Sequence, residues 1–311
     1  MSISTPSPVV LGHAACTGGS LIYRVLTSTF GFSSLSEIGV AWVPQRRFSP
    51  WDPELQLFAR DDISAKEFSE IIFERVLSCQ QIATRKQQRV LVREHTHSFY
   101  FNPKDPEILP EGGSWFADAY YARFSARVPA LVSVRDPIDS WLGFRRSFEA
   151  QLPDRFDDYC RAYNSYLDKI DTQNSDHKQF HLFKYEDFLT DPQKQLDMIA
   201  AHINQPPKEA DLSSVGNLFG SGNSGRVSSE LKKRARRPFT HRLYKEAEDS
   251  QEYLRLCQRL EYPLVYEGVS VADRISGYTY TGLSQFSWVF KFAESRAQWF
   301  KEILRSGKNI Q

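Results

Sequence analysis

Short apolar runs alternating with longer amphipathic segments constrain this chain more than any other feature. Val9–His13 (VVLGH), residues 90–92, Ala130–Val134 and residues 180–183 each read as a buried strand, and "IGVAWV", residues 38–43, as a less clearly marked one. Helical patterns lie between them, over residues 19–29, 65–85, 114–127, 137–151, 155–170 and 192–203. The second of these has a capping residue at Ser64, and its Phe68, Ile71, Ile72, Val76 and Leu77 recur at helical spacing. Strands alternating with helices specify an α/β fold, a central parallel sheet with helices on both faces. After Gln205-Pro206-Pro207 the sequence turns Gly/Ser-rich, then strongly basic, then helical. The division expected is a single α/β domain over residues 1–270 and a helical C-terminal extension over 271–311.

Charge and cysteine usage narrow the function classes. The formal net charge of +1 gives no overall attraction to nucleic acid or an anionic membrane, so an anion site must come from local Arg and Lys clusters. No stretch approaches the length of a transmembrane helix. The Ser/Pro-rich start, Met1 to Pro8, lacks the basic beginning of a signal peptide. Cys16, Cys79, Cys160 and Cys257 are far apart and show no metal-ligand spacing, which fits reduced thiols in a cytoplasmic protein.

Five segments carry candidate chemistry. In "GHAACTGGSL" an apolar strand feeds a small-residue turn that opens a helix. Gly18 and Gly19 admit a close ligand approach, Thr17 and Ser20 supply hydroxyls, and the helix start favours an anion. The lysine of the best-known phosphate loops is missing: aligned on Ser20, its position holds Gly19. In "LVSVRDPIDSWLGFRRSF" Arg135 ends an apolar strand, Pro137 opens a helix and Ser140 lies one turn along it, which suits a second phosphate. In "VLVREHTHSFY" Arg93, Glu94, His95 and His97 leave another strand, a setting for acid–base work. Tyr185, Asp187 and Asp191 follow the strand of "FHLFKYEDFLTDPQ". Lys232, Lys233, Arg234, Arg236 and Arg237 follow the glycines of "SGNSGRVSSELKKRARRP". Each also has a bland reading: a tight turn, an Arg–Asp pair, a solvated His, an aromatic plug, an exposed charged helix face.

The order of these segments resembles the sulfotransferases that use 3′-phosphoadenosine 5′-phosphosulfate (PAPS). The likeness runs from about Val9 to Arg237, and "RDPIDS" and "YEDF…DP…L…I" are its most specific parts. It implies a P-loop-like sulfotransferase architecture, PAPS as cosubstrate without a metal, and an acceptor that is a hydroxyl-bearing small molecule, carbohydrate or lipid. By position, Cys16, Thr17, Gly18, Gly19 and Ser20 would form the loop for the 5′-phosphosulfate. Arg135 would bind the 3′-phosphate, Tyr185 would lie near the adenine, and Ser224, Gly225 and Arg226 would fold over the 3′-phosphate side. His95 falls where many members carry the base, with His97 as fallback, and Arg93 stands where the family carries a Lys.

Two positions depart from the family pattern. Cys16 replaces the usual Lys or Arg of the loop, and Gly143 stands where a Ser for the 3′-phosphate is common, with Ser140 or Ser147 as substitutes. The rival readings are a small-molecule kinase with a divergent phosphate loop, for which Glu94 and Asp136 are the adjacent magnesium-binding acids, and a non-catalytic nucleotide-binding member of the fold. The final segment, "SQFSWVFKFAESRAQWFKEILR", reads as a helix with a broad apolar face that packs on the core, on a second copy or on a membrane surface.

Overall fold

The computed structural model describes residues 6–14, 16–38, 54, 57–58, 62–94, 96, 100, 112–147, 153, 155–177, 179–212, 231 and 239–265. In chain order these form β1 (Val9–His13), α1 (Gly19–Phe30), β2 (Ser33–Ile38), α2 (Ala65–Arg85), β3 (Val90–Glu94) and α3 (Trp115–Phe124). There follow β4 (Ala130–Val134), α4 (Pro137–Ser147), α5 (Phe156–His177), β5 (Phe180–Lys184), α6 (Tyr185–Thr190), α7 (Pro192–His202), α8 (His241–Asp249) and α9 (Gln251–Leu260).

The strands make one parallel sheet in the order β2-β3-β1-β4-β5. β1 is central, between β3 and β4, and every residue of these three strands is buried. Register pairs Leu11 with Arg93 and His13 with Ser133, so the three strands finish at one edge of the sheet. Ligands of open α/β sheets bind at that carboxyl edge.

Side chains alternate across the sheet, and the two faces have separate cores. Val9, Leu11, Leu91 and Leu131 pack under α1, α6 and α7, against Leu21, Ile22, Phe188, Leu196 and Ile199. Val10, Val92 and Val132 pack on the other side, with residues of α2, α3, α4, α5, α8 and α9. The aromatic residues of "RDPIDSWLGF" and of α5 belong to this second core: Trp141 and Phe144 lie against Tyr159 at ring-centroid distances of 5.2 and 5.5 Å.

Most elements fall where the sequence places them, and the differences have physical reasons. A strand that the sequence pattern did not mark is observed over Ser33–Ile38; of the strand expected at 38–43 only Ile38 is described, in strand conformation, and residues 39–43 lie outside the described residues. "SSLSEI" is an edge strand with partly exposed residues, so it needs no apolar run. Helix α2 starts as read: the Ser64 hydroxyl accepts from the Glu67 N–H, and the Glu67 carboxylate accepts from the Ser64 N–H. Helix α3 is shorter than expected because Ser125 takes a left-handed conformation and stops it. Among the described residues no helix is long and apolar enough to cross a membrane. The C-terminal segment from residue 266, with its expected helix, lies outside the described residues.

Candidate nucleotide site

The turn after β1 is shaped by what its glycines allow. Gly18 is the N-cap of α1, at φ 88, a conformation open to glycine and strained for other residues. A Cβ there would stand 2.1 Å from Cδ2 of the Tyr185 ring. A Cβ on Gly19 would stand 2.4 Å from Cδ2 of the His13 ring. The position that holds lysine in other phosphate loops is thus closed to any side chain by a buried histidine. Among the described residues no side chain caps α1, so its first-turn amides face whatever lies at the strand edge.

Two arginines hold this turn from opposite ends. Arg93 leaves the end of β3 fully buried, and its Nη1 donates to the Ser20 Oγ at 2.5 Å. Its guanidinium lies 5.5 Å from the Tyr23 ring centroid. Burial lowers the Arg93 pKa to about 10, with Tyr23 opposing and Arg24 adding, so the group stays charged at neutral pH. Arg135, just past β4, donates through Nη1 to the Cys16 carbonyl oxygen at 3.1 Å. Its guanidinium stands 5.1 Å from the Tyr185 ring, and its side chain keeps 27% exposure. The Arg135 Nε lies 3.8 Å from the Glu186 carboxylate.

The two departures from the family pattern meet in space. A Cβ on Gly143 would lie 2.9 Å from the Cβ of Cys16, so the small residue in α4 makes room for the cysteine. Cys16 itself sits at φ 61, in the left-handed region.

Glu94 and Asp136 are engaged as helix caps. The Glu94 Oε1 accepts from the Ser114 hydroxyl at 2.9 Å and from the Phe116 N–H at 2.7 Å, at the start of α3. Burial raises its pKa to about 7, against the pull of those two hydrogen bonds. The Asp136 Oδ1 accepts from the Ile138 and Asp139 N–H groups at the start of α4.

The structure thus brings Cys16, Thr17, Gly18, Gly19, Ser20, Arg93, Arg135 and Tyr185 together at one strand edge. Within this group the Thr17 hydroxyl is turned inward, fully buried, and donates to the Ala14 carbonyl oxygen at 2.8 Å. Ser140 stands apart: it too is fully buried, bonded to the Pro137 carbonyl oxygen and the Tyr159 hydroxyl. His95, His97, Ser224, Gly225 and Arg226 lie outside the described residues. The sequence reading missed His13, whose ring backs Gly19, and Glu186 beside Arg135. Its signal for Glu186 was the adjacent Tyr185; for His13 it was the strand end immediately before the loop.

No family model matches the sequence, and no curated protein matches it. Solved structures do resemble it. A sulfotransferase domain from the curacin biosynthetic pathway covers 84% of this chain and 100% of its own, at 16% identity and a TM-score of 0.50. A sulfotransferase from Alicyclobacillus acidocaldarius covers 83% and 97%, at 15% identity and a TM-score of 0.46. The sulfotransferase domain of the Synechococcus PCC 7002 olefin synthase covers 85% and 98%, at 15% identity and a TM-score of 0.46. With its five-stranded parallel sheet, its helices on both faces and its glycine turn after the central strand, this chain has the sulfotransferase fold.

Proposed function

We propose that the chain is a sulfotransferase that moves the sulfuryl group of PAPS to an acceptor hydroxyl. The observation that carries this reading is the grip of two strand-end arginines on one glycine turn, Arg93 at Ser20 and Arg135 at Cys16. PAPS carries two separate anionic ends. The uncapped start of α1, with Gly18 and Gly19 giving close approach, suits the 5′-phosphosulfate. The partly exposed guanidinium of Arg135 at the far end of the turn suits the 3′-phosphate.

The reaction needs position and charge stabilisation. The acceptor oxygen attacks sulfur, the bond from sulfur to the 5′-phosphate oxygen breaks, and adenosine 3′,5′-bisphosphate (PAP) departs. The acceptor's proton passes to a base, which this reading assigns to His95, with His97 as fallback. Negative charge grows on the departing 5′-phosphate. Arg93, fixed beneath the helix start through Ser20, supplies a cation there in place of the absent loop lysine. A transferred sulfuryl group carries less charge than a terminal phosphoryl, so the demand on the loop is smaller. The helix-capping roles of Glu94 and Asp136 speak against the kinase reading, which would draw on them for magnesium.

Calorimetry with PAP and AMP tests the donor assignment. A single charge-assisted contact from Arg135 is worth about 1.5–3 kcal/mol, so PAP should bind at least tenfold more tightly than AMP. Equal affinities would overturn the reading. Tight PAP binding with no PAPS-dependent product in a screen of phenols, sugars and lipids would reduce it to nucleotide binding. The C-terminal apolar face, as a contact with a second copy or a membrane, belongs to the same proposal and is checked by sedimentation with and without liposomes.

A further inference from the structure

Arg135 is held by more than the loop it contacts. Glu186, in the first turn of α6, places its Oε1 3.8 Å from the Arg135 Nε and 3.4 Å from the Asp136 N–H, which donates to it. The other carboxylate oxygen, Oε2, accepts a 2.6 Å hydrogen bond from the hydroxyl of Tyr262. Tyr262 follows α9, and its N–H donates to the Cys257 carbonyl oxygen at the helix end. The Lys184 ammonium lies 5.0 Å from the Tyr262 ring and donates to the Glu261 carbonyl oxygen at 3.3 Å. Helix α9 packs on α5, so this tyrosine hangs from a fixed support.

We propose that Tyr262 is a positioning residue which, through Glu186, fixes the Arg135 guanidinium for the nucleotide's 3′-phosphate and so sets selectivity for 3′-phosphorylated donors. This rests on the donor reading above and adds a determinant 127 residues downstream of the arginine in the chain. A carboxylate beside a phosphate-binding arginine is a liability, because it competes for the same cation and repels the ligand. The Tyr262 hydroxyl and the Asp136 N–H both take up charge of that carboxylate and hold its rotamer. Without the hydroxyl, Glu186 turns more fully onto Arg135, and both consequences weaken phosphate binding. The geometry also leaves the outer edge of the guanidinium facing the loop, where Nη1 meets Cys16.

The test is a double-mutant cycle read by calorimetry. Tyr262→Phe removes one hydroxyl and keeps the ring on Lys184, so thermal unfolding should be nearly unchanged. PAP affinity should fall about three- to tenfold, less than the full worth of a hydrogen bond to a charged group because the hydroxyl acts through Glu186, while AMP affinity stays within twofold. In a Glu186→Ala background the same Tyr262→Phe change should have no effect on PAP. An equal loss of PAP and AMP affinity, an unchanged PAP affinity, or an undiminished effect in the Glu186→Ala background would overturn the proposal. Wild-type protein that binds PAP no better than AMP would instead sink the donor reading beneath it.

Discussion

Arg93 and Glu94 are consecutive residues at the same buried end of β3, and the sheet sends them to opposite tasks. Arg93 points to the face covered by α1, where its guanidinium meets Ser20 at the start of the helix. Glu94 points to the other face, where its carboxylate ties Ser114 and Phe116 to the sheet and anchors α3. Both groups are almost wholly out of water, a costly arrangement that the hydrogen bonds of Arg93 Nη1 and Glu94 Oε1 offset only in part. Burial and charge alone therefore do not mark a catalytic group. What the charge touches separates the residue under the glycine turn from the residue that caps a helix.

The sharpest way to break this contrast is Arg93→Met. Transfer should fall about 10²–10³-fold, the usual loss of a group that stabilises transition-state charge. Unfolding in urea should be unchanged or shifted upward, because a buried cation gives way to an apolar chain of similar length. A variant that loses turnover only by unfolding would make Arg93 a structural residue like its neighbour.

Glu94→Ala should do the reverse. It leaves the Phe116 N–H and the Ser114 hydroxyl buried without their acceptor, a loss of about 2–3 kcal/mol of unfolding free energy in urea titration. Turnover of the folded fraction should stay within a few fold.

Titration separates the faces further. Glu94 loses its proton near 4.5 when unfolded and near 7 when folded. Between those values the folded state binds more protons, so its contribution to stability declines as pH rises, by about 2–3 kcal/mol over the window. His181, in β5, has the opposite sense. Burial, with the His202 imidazole next to it, lowers its pKa to about 4 from 6.5. The unfolded state takes up that proton first, so stability falls as pH drops from 6.5 towards 4. The slopes partly cancel between pH 4.5 and 6.5. Glu94→Gln should therefore steepen the acid-side loss seen in thermal melts, and His181→Leu should flatten it. The smallest effect expected is from Ser114→Ala, which removes the α3 N-cap and one donor to Glu94, at about 1 kcal/mol with turnover unaltered.

Much of this was legible in the sequence because it is local. The strand β1, the turn into α1, the Ser64 cap and the Asp191-Pro192 start of α7 are each set by neighbours a few residues apart. The edge strand β2 over Ser33–Ile38 was missed because an exposed edge carries little apolar signal. Ser140, read as a phosphate ligand from its place one turn into α4, instead spends its hydroxyl inside the aromatic core, on Tyr159. Its helix position was correct, but the direction of its side chain depended on where α5 packs.

The alternating α/β pattern, the glycine turn and the residue types able to meet an anion are readable along the chain, since each follows from short-range sterics and hydrogen bonding. Which of those residues meet is set by the packing of the fold. The strand order puts β1 between β3 and β4, and that alone carries Arg93 and Arg135 to the two ends of one turn. The same packing closes the lysine position with His13, seats Cys16 against Gly143, and brings Tyr262 to Glu186. No local rule encodes these contacts. They exist because burying both faces of a parallel sheet fixes the distances between segments far apart in the chain.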